Sequence, residues 1–140
     1  MKNRVAQILS LGMALAALPA MHAQNMAVKA DVPFDFYVGS TLMPHGAYLV
    51  NETPNNVVAW IMATEQEATK AVTTISILGT KREEPARLVF HRYGEDYFLE
   101  EIWKGDSSAG RYLPRSAREK EMARGGAGHA LAVIQVALHR

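Results

Sequence analysis

The sequence predicts a mainly β domain, a small antiparallel barrel or sandwich of about six to eight strands with one short helix in its C-terminal half. Three observations carry that reading. Apolar residues alternate with others over 32–38, β-branched residues crowd 72–78, and two aromatic-rich runs flank Gly94-Glu95.

In the first of these, Val32, Phe34, Phe36 and Val38 fall on one face of a single strand. Pro33 has no amide to give a ladder, so that strand should lie at an edge or begin there. Gly39-Ser40-Thr41 and Pro44-His45-Gly46 read as turns, the second leading into a strand at 47–50. After the breaker Thr53-Pro54-Asn55-Asn56, an apolar run around Trp60 gives a strand at 57–63. Residues 65–70 are polar, a loop or one helical turn, and 72–78 is one further strand.

The segment 87–103 (RLVFHRYGEDYFLEEIW) predicts a hairpin with Gly94-Glu95 as a two-residue turn. Arg92 then pairs with Tyr97, His91 with Phe98 and Phe90 with Leu99. Regular alternation puts Leu88, Phe90, Tyr97, Leu99 and Trp103 on one face. Val89, Tyr93, Phe98 and Ile102 fall on the other, beside His91 and Glu100. Beyond a loop at 105–110, Ser116 and Glu119 are spaced as a capping box for a helix from Ala117 to about Arg124, which Gly125-Gly126 stops. The tail 131–138 is read as a strand that rejoins the sheet.

Residues 1–23 have the form of a secretory signal: Lys2 and Arg4, an apolar run from Ile8 to Leu18, then Pro19 and small residues. Cleavage is expected after Ala23, with Ala20 as the rival position. The apolar run is too short for a stable membrane span. The remainder, 24–140, reads as a single β-rich domain, exported to the periplasm or outside the cell. Of 15 Lys+Arg in the chain, Lys2 and Arg4 leave with the signal, so 13 face 14 Asp+Glu. That balance offers no basic excess to neutralise phosphates, so no nucleic-acid partner is expected. The absence of cysteine removes thiolate catalysis, iron–sulfur clusters and cysteine-bound zinc.

Three blocks, VPFDFYVGSTLMPHGAY, LVFHRYGEDYFLEEIW and GRYLPRSAREKE, resemble the recurring blocks of small secreted β-rich proteins of acidobacterial type. His45 departs from that pattern, which has a small residue in the turn. The resemblance implies a compact exported β domain and assigns no catalytic residue.

No complete catalytic constellation is present. Gly105 to Gly110 has phosphate-loop spacing, but Arg111-Tyr112 stand where Lys and Ser or Thr are needed. His45, His91, His129 and His139 lack metal-ligand spacing, and neither a metal nor another cofactor is expected. His91 is read as a structural imidazole bonded within the sheet, diagonal to Glu100. Adjacent Glu100 and Glu101 should point to opposite faces and so cannot by themselves form a glycosidase pair. Asn51-Glu52-Thr53 matches a glycosylation sequon by chance. The resulting expectation is a non-catalytic binding or envelope-associated module with a protein or glycan ligand. Its interaction face is Tyr93, Phe98 and Ile102 with His91, left uncovered because the helix is mostly polar. The alternative is a carboxylate-based hydrolase using Glu100 or Glu101.

Overall fold

The computed structural model describes residues 27–53, 55, 57–79, 85–105, 108–126, 128–135 and 137–139, so the segment 1–23, expected to be a secretory signal, lies outside the described residues. Two sheets, antiparallel except where β2 (Phe36–Val38) runs parallel to β9 (Asp96–Trp103), face each other as a sandwich, without closing into a barrel. The first holds β12 (Ala137–His139), β1 (Ala27–Val32), β4 (Gly46–Glu52), β5 (Val58–Ala63) and β6 (Thr69–Thr73), in that order. The second runs β11 (His129–Gln135), β8 (Arg87–Tyr93), β9 (Asp96–Trp103), β10 (Ala109–Tyr112) and β7 (Ile75–Leu78), with β2 (Phe36–Val38) and β3 (Thr41–Met43) appended. One helix, α1 (Ala117–Arg124), completes the described elements. The strands outnumber the six to eight expected because several are only three or four residues long.

The extra strands arise where chain expected to be one strand serves both sheets. Residues 72–78 divide at Thr74, where β6 leaves the first sheet and β7 enters the second. Thr74 is buried, and Arg111 of β10 binds its hydroxyl (Nε to Oγ1, 2.9 Å) and its carbonyl (3.2 Å), which fixes the corner. The tail is strand, as expected, and likewise changes sheet: β11 pairs with β8 and β12 with β1. Thus chain passes between the sheets along both margins of the sandwich. Residues 32–38 are not continuous either. β1 ends at Val32, before Pro33, and Phe36 starts β2 in the opposite sheet. β1 is itself an interior strand, so Pro33 ends a strand rather than marking a sheet edge. β10 occupies part of what reads as loop at 105–110.

Between the sheets lies an apolar core. Val28, Ala30, Val32, Tyr48, Val50, Ala59 and Ile61 come from the first sheet, and Leu88, Phe90, Leu99 and Ile102 from the second. Phe36 joins them, with its ring edge-on to Tyr48 (5.1 Å) and Phe90 (5.4 Å).

The hairpin register is the expected one. Arg92 pairs with Tyr97, His91 with Phe98 and Phe90 with Leu99, and Gly94 takes φ +60° in the turn. Beyond Phe90 the ladder shifts. Val89 pairs with Glu101, so Glu100 is an extra residue, a β-bulge, whose carbonyl accepts from Leu113 N at 2.8 Å. The bulge reverses the expected alternation of everything after it. Ile102 joins Leu88 in the inter-sheet core, and Trp103 turns to the outer side with Val89 and His91.

Candidate functional site

Two places bring chemistry-bearing side chains together. The first is on the outer face of the second sheet, under α1. The bulge sends both Glu100 and Glu101 to this side, where regular alternation would have separated them. Glu100 Oε2 meets His91 Nε2, and Glu101 Oε2 accepts from the Trp103 indole at 2.7 Å. His91 Nδ1 meets Glu119 Oε1 of α1 at 2.9 Å, and the Tyr93 hydroxyl donates to the same oxygen at 3.2 Å. Arg115 stands 3.7 Å from that oxygen at the rim, and the His129 ring packs edge-on against His91 at 4.7 Å. The imidazole thus bridges two carboxylates carried by different elements.

With an acceptor oxygen at each ring nitrogen, the chain Glu100–His91–Glu119 needs two bridging protons among three groups. Burial pushes the Glu100 carboxyl above its ordinary range, His91 pulls it back, and Glu101 and Glu119 raise it further. Tyr93 is likewise raised, by burial first and then by the Glu119 charge. The cluster is sealed: His91 and Glu119 are each only 4% exposed, and every buried side-chain polar atom described has a partner.

The helix begins and ends where expected, with Ser116 Oγ accepting from Glu119 N at 3.2 Å. Only half of the capping box forms, however, because the Glu119 carboxylate turns inward to His91 instead of back to the cap. Glu119 is the buried residue of an otherwise polar helix. Sequence spacing assigned it to the cap because a carboxylate three residues after Ser116 suits that role equally well.

The expected interaction face is correspondingly covered. Tyr93 is 1% exposed, Phe98 2%, Ile102 1% and His91 4%. Ile102 belongs to the inter-sheet core. The others lie beneath a layer in which Tyr37 of β2 stacks on Phe98 (4.8 Å), Arg118 of α1 sits over Tyr37 (4.7 Å), and Glu119 caps His91. A mostly polar helix can cover this face because it docks through a carboxylate rather than an apolar stripe.

The second place is open. A cleft of about 350 Å³ is lined by Asp31, Val32 and Pro33 at the end of β1, by His45, Gly46 and Ala47, and by Glu65 and Ile134. At its margin the exposed Asp35 carboxylate holds His45 twice, accepting from the backbone amide at 2.8 Å and pairing with Nδ1 at 2.9 Å. Those two hydrogen bonds lower the Asp35 carboxyl below its usual value. The turn here contains Gly46 at φ +147°. Its neighbour Tyr48 donates its hydroxyl to Pro44 O at 2.5 Å. Sequence reading marks His45 as unusual but does not pair it with Asp35, ten residues earlier, because 32–38 reads there as one strand and the pairing of Phe36 with Met43 that brings the two together is not foreseen.

Among the described residues no group of three or more His, Asp or Glu side chains is arranged to hold a metal ion, and no helix is long and apolar enough to cross a membrane. The fold and the two places define a β-sandwich with a helix docked on its outer face and an open acidic cleft. The chain matches no family model, and neither a curated protein nor a solved structure is similar to it.

Proposed function

We propose that the chain is an exported β domain that works by binding, and that its ligand seat is the cleft at Asp31, His45 and Glu65. The open cleft carries this reading. Its volume is within the range of small-molecule sites, and an apolar floor of Val32, Pro33, Ala47 and Ile134 meets a rim of carboxylates. No Lys or Arg lines it, so it suits neutral polyhydroxylated ligands such as glycans, whose hydroxyls donate to carboxylates, better than anions. The hydrolase alternative finds no support at Glu100 or Glu101: one is spent on buried His91 and the other on the Trp103 indole.

The experiment is titration calorimetry of residues 24–140 against a panel of neutral and charged oligosaccharides, with product analysis by mass spectrometry. Glu65 is exposed, so Glu65→Lys should leave the fold intact and abolish binding. Unchanged binding in that variant would displace the ligand from the cleft, and turnover of a bound sugar would overturn the non-catalytic reading. Export is checked separately by N-terminal sequencing of protein from the envelope or medium, with Gln24 as the expected first residue.

A further inference from the structure

We propose that α1 is a hinged lid on the second sheet, latched by the Glu119 carboxylate, and that acid lifts it while the sandwich beneath stays folded.

The geometry of attachment is the first argument. A helix normally docks through an apolar stripe, but among the residues of α1 only Glu119 is buried. Its anchors are the bonds from Glu119 to His91 and Tyr93 and the stacking of Arg118 over Tyr37. The strap is held firmly only outside the helix: Leu113 is in the inter-sheet core on one side, and β11 pairs with β8 on the other. Pro114 precedes α1, while Gly125, Gly126 at φ +71° and Gly128 follow it, residues suited to absorbing a change of backbone direction.

The second argument is proton counting. The bridge Glu100–His91–Glu119 is complete with two protons. A third, supplied by acid, neutralises one carboxyl, Glu100 first because burial raises it. A fourth neutralises Glu119 and leaves the imidazolium buried without a counter-ion, which is the costly outcome of removing one partner from a buried pair. Each charged or titratable neighbour acts on that balance. Arg115, just before the Ser116 cap of α1, repels an uncompensated imidazolium. Glu101 on β9 is occupied by the Trp103 indole, Tyr93 donates to Glu119, and His129 of β11 packs against His91 and Tyr93 and adds positive charge when protonated. Raising α1 puts the imidazolium back in water. In the sandwich itself Glu52, at the end of β4, is a buried carboxylate paired with Lys104 at 3.2 Å. Lys104 is partly exposed, however, so neutralising Glu52 encloses no uncompensated cation, and acid has a weaker lever there than under α1.

Amide hydrogen exchange followed by mass spectrometry on residues 24–140 tests this at pH 7 and pH 4, after correction for intrinsic exchange rates. Peptides covering 115–126 should lose protection by at least tenfold in acid, while peptides of β4 and β5 keep theirs. Glu119→Gln should show at pH 7 the helix exchange that the parent reaches only in acid, with little further change on acidification. Equal protection of the helix at both pH values in the parent would overturn the proposal. So would simultaneous loss in helix and sheets, and so would wild-type helix protection in Glu119→Gln. Because the parent alone supplies the pH comparison, a variant that fails to fold does not spoil the test.

Discussion

The indole of Trp103 lies against Gly110 so closely that a Cβ built on the glycine would stand 2.6 Å from ring atom Cε3. The two residues are register partners on β9 and β10, and the Arg87 guanidinium sits 4.8 Å from the ring centre. Gly79, at the end of β7, meets the same ring, with its would-be Cβ 2.9 Å from Cζ3. Two strands therefore approach the indole at positions only glycine can fill without displacement. Gly110→Ala should cost about 1–3 kcal/mol through overpacking, read as a lower urea midpoint with Trp emission shifted to the red. An unchanged midpoint would show that the indole moves aside freely.

Gly94 calls for a different substitution because its restriction is not steric crowding. A Cβ there would meet nothing within 4 Å, yet φ is +60°. The cost of a side chain is then backbone strain alone, about 1–2 kcal/mol for Gly94→Val, and clearly less for Gly94→Asn, whose side chain tolerates the left-handed region. Equal denaturation midpoints for the two variants would mean that the turn reshapes to relieve the strain.

Glu100 makes a pH-dependent contribution of defined sign. Burial raises its carboxyl above 4.5, so over the range just above that value the folded chain holds more protons than the unfolded one. Its contribution to stability is fully present below 4.5 and is lost as pH rises through the folded value. Glu100→Gln removes that titration. The variant should gain stability relative to the parent as pH rises from 4.5 to 7, measured by parallel urea titrations. A difference that stays constant across the range, or shrinks, would contradict the assigned direction.

Much of this architecture is legible locally. The two-residue turn at Gly94-Glu95, the hairpin pairing next to it and the span of α1 all depend on residues within a few positions of one another. Glycine conformation, alternation and capping determine such features before any distant contact forms. The diagonal approach of His91 to Glu100 follows from the same pairing.

The sequence by itself thus determined that this is a β domain built around an aromatic hairpin, with a short capped helix after it. Tertiary structure alone decided where the strands change sheets, which way the residues after Glu100 point, and what Glu119 does. Each of those depends on a partner far along the chain. Thr74 is a corner because Arg111 binds it across 37 residues. The bulge at Glu100 is held by the amide of Leu113, and it moves Ile102 into the core and Trp103 out of it. Glu119 leaves its cap for an imidazole 28 residues away, because a buried histidine with a free ring nitrogen offers a carboxylate a stronger bond than an exposed amide at the start of a helix.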